Sequence, residues 1–350
     1  MSLIGFEGFD DIASTGTDET FGTGLGTDGS GSSNYWTRNA ALTKVSGQLG
    51  GSAIQLTSNG SYECHLAANY TRLIWGGRFK VSSLTTTIVA FFDGSSTIQC
   101  ALSVNGSGNL IFHRTNNPTG QIGSAGSTVI TTGTWFYAEV DVTFNSSSGA
   151  FTVRLGGSGT EISGSGVNTV SSANNYANGF GWAAQVNSQF GTFDDMYLLD
   201  PTTGSAPFTS MLGVCRVETL FPTANNSVTW TPNASTNVSQ VQETSMDSDT
   251  TYNSIAATTG QDTFAHGSLS STPTTIYAVA VRAVMRKDDV FNSNAQTTLI
   301  SGGTTQQGAS NNQTTTYQTN RDIYLNDPNT SAAWGATAVN NSFIGYNRVT

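Results

Sequence analysis

Trp135-Phe-Tyr-Ala-Glu-Val-Asp-Val-Thr-Phe144, then Asn145-Ser-Ser-Ser-Gly149, then Ala150-Phe-Thr-Val-Arg-Leu155 is the stretch whose reading decides the fold class. Phe136, Ala138, Val140, Val142 and Phe144 alternate with Trp135, Tyr137, Glu139, Asp141 and Thr143. A period of two places the first set on one face of a strand and the second on the other. Phe151, Val153 and Leu155 resume the alternation after the polar loop, so the stretch predicts a β-hairpin.

Short alternating runs of the same kind recur outward from this hairpin at 53–56, 74–81, 86–92, 98–104, 110–114, 180–184 and 196–199. Gly, Asn and Ser clusters separate them, and helical periodicity is nearly absent. Asp200-Pro-Thr-Thr-Gly-Ser-Ala-Pro207 breaks the pattern, and strands are expected again at 214–221, 227–230, 275–285 and 297–301. The expectation is an all-β chain of two antiparallel, jelly-roll-like β-sandwiches in tandem: residues 1–200, a linker at 201–211, and residues 212–350. In 276–285 both faces are apolar except at Arg282, as in a central strand covered on both sides, and the polar stretch 304–320 reads as a long exposed excursion.

Composition narrows the function. Charged residues are 10% of the 350, well under the usual ~25%, while aromatics also reach 10%, enough to build cores. The net charge is −10 and the lysines are Lys44, Lys80 and Lys287, with Arg286-Lys287 the tightest basic pair. Nucleic acid is therefore not an expected partner, since phosphate binding needs a clustered basic footprint. No apolar run reaches the ~20 residues of a membrane span, and the start, MSLIGFEGFDD, has no signal-peptide pattern. A soluble protein made in a bacterial cytoplasm, with no membrane partner, is expected.

Cys64, Cys100 and Cys215 are odd in number and lack metal-ligand spacing, so they read as free thiols. His65, His113 and His266 have no nucleophile elbow beside them. Gly24-Leu-Gly26-Thr-Asp-Gly29 matches a dinucleotide fingerprint in form alone, with no strand before it or helix after it. Phe9-Asp10-Asp11 and Phe193-Asp194-Asp195 echo each other near the two ends of the first region. If the first and last strands pair, Asp10, Asp11, Asp194 and Asp195 meet at one rim, either as solvated turns or as a structural Ca²⁺ site.

The opening acidic strand, residues 135–142, the hairpin and the closing Phe-Asp-Asp-Met-Tyr-Leu run together resemble concanavalin-like (laminin-G-type) jelly rolls over residues 5–200. Residues 212–350 resemble a domain of tailed-bacteriophage virion proteins through Arg216-Val-Glu-Thr-Leu-Phe-Pro-Thr-Ala224, Trp230-Thr-Pro232, Asp247-Ser-Asp-Thr-Thr-Tyr252, Tyr277-Ala-Val279, Arg286-Lys-Asp-Asp289, Ser301-Gly-Gly303, Asp327-Pro328 and Ala332-Ala-Trp334. These resemblances imply a structural protein on the outside of a phage virion: a capsid decoration, fibre or tail-appendage subunit. Its expected partners are other virion proteins and copies of itself, with a trimer the expected oligomer. Some jelly rolls of this type are hydrolases with Glu-x-Asp-x-x-Glu on a concave strand. Here Glu139-Val-Asp141 starts that pattern but position 144 is Phe, so no catalytic activity and no cofactor are expected. The alternative is a receptor-binding lectin for host surface glycan, using Trp135, Tyr137, Glu139 and Asp141 with Trp75 or Trp182 beside them. A polysaccharide depolymerase is the more distant alternative.

Overall fold

The computed structural model describes residues 2–11, 24–26, 35–38, 42–56, 62–94, 97–115, 120–182, 191–244 and 247–349. The protein is all-β and antiparallel, with 51% strand and 3% helix. It divides into two compact units, Met1–Asp10 with Asn34–Val217, and Asp11–Ser33 with Glu218–Thr350. Residues 201–211 thus fall inside the first unit, and the early stretch 11–33 belongs to the second.

The strands up to residue 199 are β1 (Leu3–Glu7), β2 (Gly24–Gly26), β3 (Tyr35–Arg38), β4 (Leu42–Ser46), β5 (Ser52–Leu56), β6 (Tyr62–Tyr70), β7 (Arg72–Val81), β8 (Thr87–Phe92), β9 (Ile98–Val104), β10 (Leu110–Arg114), β11 (Phe136–Thr143), β12 (Gly149–Leu155), β13 (Ser158–Val167), β14 (Ala177–Trp182) and β15 (Gly191–Leu199). All but β2 build the first unit, a sandwich of two sheets. One runs β13-β12-β11-β7-β15-β5-β4, with β1 also on β15, and the other runs β10-β9-β8-β14-β6-β3. The hairpin forms as the alternation predicts, Val140 opposite Val153 and Val142 opposite Phe151. In its loop the Asn145 side-chain oxygen accepts the N–H groups of Ser147 and Ser148, both at 2.9 Å. First and last strands pair, Glu7 opposite Met196 and Leu3 opposite Leu199.

Three aromatic pairs across the sandwich show which face is internal. Phe112 stacks on Phe151 with centroids 4.2 Å apart, Trp182 meets Phe193 at 4.1 Å, and Phe91 meets Phe144 at 5.7 Å. The register then puts Ala138, Val140 and Val142 inside, and Tyr137, Glu139 and Asp141 on the outer face of the eight-stranded sheet. Trp75 and Trp182 are fully buried in this core. Neither lies beside Glu139 as a platform, because Trp75 pairs with inward-facing Val140 and the Trp182 indole donates to the Ile88 carbonyl at 2.7 Å.

The second unit contains β16 (Pro222–Ser227), β17 (Thr231–Pro232), β18 (Asn253–Ser254), β19 (Gly260–His266), β20 (Val279–Met285), β21 (Asn294–Ser301), β22 (Thr304–Gln307), β23 (Asn311–Asn312), β24 (Gln318–Tyr324), a short helix α1 (Ala336–Asn340) and β25 (Phe343–Val349). Its larger sheet runs β16-β19-β25-β21-β22, with β23 on β21, and a smaller one runs β2-β24-β20. Two expectations change. β20 is an edge strand of the smaller sheet and mostly half-buried, rather than central and covered on both faces. Its apolar outer positions reflect packing on neighbouring elements, which alternation alone does not separate from burial within a sheet. The stretch 304–320 is not one excursion, since β22 and β23 both pair with β21.

Candidate functional site

The outer face of the eight-stranded sheet takes its chemistry from register. On β7, Gly76 lies between Glu139 of β11 and Tyr197 of β15, and Arg78 lies between Tyr137 and Asp194. A Cβ on Gly76 would stand 2.3 Å from the Tyr197 ring and 3.0 Å from the Tyr137 hydroxyl, so only glycine lets the two phenols close over this strand. The Tyr197 hydroxyl donates to Glu139 Oε1. Glu139 is 0% exposed, and its Oε2 has no hydrogen-bond partner. The buried Tyr137 hydroxyl interacts with Cys215.

The two ends of the face differ from this centre. At one, the Trp135 indole is half-buried with Lys80 Nζ 4.9 Å from its ring centroid. Lys80 continues across the strands to Thr192 and Gln55, and Gln55 to Thr43. The Thr192 hydroxyl, buried in that row, has no partner. At the other end Arg72 clamps Asp141 with two bonds, 2.9 Å from Nε and 2.6 Å from Nη2. Of the four expected glycan residues, Trp135 and Asp141 are half-buried, while Tyr137 and Glu139 are covered.

The cover is the chain itself. Residues 214–221, expected as a strand, form none, and in the segment 212–217 the N–H groups of Leu212, Gly213 and Val217 go to side chains of the sheet face instead of a ladder. Leu212 N–H donates to the Tyr197 hydroxyl at 3.0 Å, Gly213 N–H to Glu139 Oε1 at 2.8 Å, and Val217 N–H to Asp195 Oδ1 at 2.8 Å. Arg216 reaches the Leu49 carbonyl at 2.9 Å, and Val214 packs over the backbone at Gly157.

Burial dominates the electrostatics. It pushes the Cys215 thiol up to about 12, with the Tyr137 hydroxyl opposing the shift and the Glu139 and Asp195 carboxylates adding to it. The Tyr197 phenol is raised far above its ordinary value by burial and then by Glu139. At the rim, burial followed by the Asp195 charge lifts Asp194 to about 8, and Asp10 adds to the rise. Asp195 is also raised by burial, against the Val217 N–H and an ion pair with Arg78 at 2.6 Å. Asp10 Oδ1 accepts the Ser52 N–H at 2.5 Å, and Asp11 pairs with Arg282 within the second unit. So Asp10, Asp194 and Asp195 share one rim, and Asp11 is engaged elsewhere. Among the described residues no group of three or more His, Cys, Asp and Glu side chains is placed to hold a metal ion.

One polar chain was not visible in any motif. His113 Nδ1 lies 3.1 Å from the Thr115 carbonyl, which makes Nδ1 the protonated nitrogen and leaves Nε2 to accept from the Ser103 hydroxyl at 2.7 Å. Ser103 in turn contacts the Thr87 hydroxyl at 3.0 Å. All three side chains are buried on the outer face of the second sheet, and burial lowers the His113 pKa. The sequence signal was the Asn105–Asn109 turn, whose register puts Ser103 two residues across from His113 on β9 and β10.

No known protein family and no curated protein matches the chain. Solved structures do. A mutant sialidase of Trypanosoma rangeli displaying trans-sialidase activity is 13% identical with a TM-score of 0.39, over 57% of this chain and 31% of the sialidase. Domain 4 of an extracellular arabinanase from Geobacillus stearothermophilus, in complex with arabinotriose, is 17% identical with a TM-score of 0.38, over 57% of this chain and 92% of that domain. A carbohydrate esterase from the Shiga toxin-encoding bacteriophage phi24B is 16% identical with a TM-score of 0.33, over 47% of this chain and 88% of the esterase. The similar structures are carbohydrate-active or carbohydrate-binding β-sandwich proteins, and this chain spans about a third of the sialidase. The expectation of a chain without catalytic function is corrected at this point, since its similar structures include enzymes. At these identities the likeness is one of fold, and it brings no activity or ligand with it.

Proposed function

We propose that this protein binds glycan on the outer face of the eight-stranded sheet, with Trp135 as the stacking surface and Tyr137, Glu139 and Asp141 as polar partners. The observation that supports this reading is the cross-strand row of Trp135, Lys80, Thr192, Gln55 and Thr43. A half-buried indole beside a line of hydrogen-bonding side chains matches the amphipathic surface of a sugar ring. Four strand spacings of ~4.8 Å give the row a length of about 19 Å, the reach of a short oligosaccharide. In the same proposal the protein sits outside a phage particle with other virion proteins and further copies of itself, supported by the segments of residues 216–334 quoted above. Peptides of this chain in purified virions test that placement, and their absence overturns it.

Binding of arabinotriose, 3′-sialyllactose and a purified bacterial O-antigen polysaccharide, followed by calorimetry with wild type and Trp135→Ala, tests the site. At least one saccharide is expected to bind wild type and to lose tenfold or more in Trp135→Ala. Equal affinities in both proteins overturn the reading. Reducing ends followed in the same incubations, with Glu139→Gln beside wild type, report any glycosidic cleavage at this face.

A further inference from the structure

Glu139 is the most enclosed carboxylate of the proposed face, at 0% exposure, yet its Oε2 has no hydrogen-bond partner. Buried oxygens normally find one. What encloses it is a light cover. Residues 212–217 make no strand pairing, none of them is fully buried, and Val214 is 49% exposed. Its bonds to the face include three N–H groups donated to Tyr197, Glu139 and Asp195, the Arg216 bond to Leu49 and a contact of Cys215 with Tyr137. Gly213 takes φ of +86°, a left-handed conformation that aims its N–H at Glu139, and nothing stands within 4 Å of the Cβ it lacks.

We propose that residues 212–217 are a strap that closes the acidic and aromatic centre of this face, and that saccharide reaches Glu139, Tyr137 and Tyr197 only when the strap lifts. The inference rests on the glycan reading of the same face and adds its regulation. Closed, the strap's N–H groups occupy the acceptors that sugar hydroxyls would use. Open, it releases the lone pairs of Glu139 Oε1 and the Tyr197 hydroxyl that its N–H groups hold, and the Tyr137 hydroxyl from Cys215, beside Glu139 Oε2, which has no partner. The strap ends at Val217, where the chain passes directly to the second unit at Glu218, so a pull on that unit acts on the strap through the backbone.

Cys215, inside the strap, reports its state, while Cys64 and Cys100 are buried in the sandwich and report its integrity. Gly213→Pro removes both the N–H that Glu139 accepts and the left-handed φ. The measurements are iodoacetamide labelling of each cysteine, resolved by peptide mass spectrometry, and affinity for the three saccharides named above. In Gly213→Pro, Cys215 should label at least tenfold faster than in wild type with Cys64 and Cys100 protected, and saccharide should bind at least tenfold tighter. Adding Glu139→Gln should remove the gain. Should Gly213→Pro also expose Cys64 or Cys100, Arg216→Ala, which removes the bond to the Leu49 carbonyl and the Arg216 charge near Asp195, takes its place under the same two readouts. Faster labelling of Cys215 with unchanged affinity overturns the gate and leaves the Trp135 site standing. Wild-type labelling rates in both variants overturn the gate as well, and absence of saccharide binding in every protein overturns the glycan reading together with it.

Discussion

Asp194→Asn tests the electrostatics of the acidic rim. Asp194 is 3% exposed and its pKa is raised from 3.8 to about 8, by burial first, then by Asp195 and Asp10, while N–H groups of Asp195 and Gln48 oppose the rise. The unfolded chain ionises this carboxyl near pH 4 and the folded protein only near pH 8, so between those values the folded state holds the extra proton. Stability from this group is therefore full below pH 4 and is lost as pH climbs to 8, at up to about 1.4 kcal/mol per pH unit. Between pH 5 and pH 8 wild type should lose about 3 kcal/mol from this site. Asn cannot ionise, and its side-chain oxygen can still accept the Asp195 N–H that Asp194 Oδ1 accepts at 2.8 Å. Urea unfolding of wild type and Asp194→Asn at pH 5, 6, 7 and 8 measures the difference. The variant should lose less with rising pH and stand about 3 kcal/mol above wild type at pH 8, relative to their difference at pH 5. Parallel profiles for the two proteins would refute the reasoning, because they would mean that Asp194 is already ionised in the fold at pH 5.

Burial lowers the His113 pKa, so the folded state resists the proton that the unfolded chain takes up. Stability should hold above about pH 6.5 and fall below it, and His113→Gln should flatten that acid limb in denaturant titrations. Gly51 has φ of +65° and a Cβ there would stand 2.0 Å from Asp10 Oδ1, so Gly51→Ala should cost about 2–3 kcal/mol and lower the melting temperature in calorimetry. Phe151→Ala removes the ring stacked on Phe112 between the sheets and should cost about 3–5 kcal/mol, read as a drop in the urea midpoint with unchanged m.

The hairpin of β11 and β12 was legible because strand alternation, loop chemistry and packing agree there, and the Asn145 side chain caps the turn that its composition predicts. The first and last strands of the sandwich were legible from the Phe-Asp-Asp echo, which brings Asp10 and Asp194 to one rim. Asp11, one residue on, belongs to the other unit. Alternation says which residues share a face and not which face is covered, which is why Trp75 and Trp182 read as neighbours of Glu139 although they fill the core. One unused signal lay in Gly76-Gly77 within an apolar strand, since a glycine in a strand interior marks close approach, here of Tyr137 and Tyr197.

The strap shows where such reading stops. Residues 214–221 are apolar enough to read as a strand, and nothing in that composition tells whether the backbone donors meet carbonyls of a neighbour or side chains of a sheet face. The acceptors lie far back in the chain, at Glu139, Asp195 and Tyr197. Each side needs the other: three acceptors on a face closed from water, and three N–H groups without a ladder. An extended segment laid over acidic and phenolic side chains satisfies both at once, and it leaves Glu139 Oε2 unpaired. A cover evolved only to bury the face would be expected to answer that oxygen too. That Glu139 Oε2 remains free beneath a half-exposed segment is what distinguishes a cover that lifts from a wall of the core.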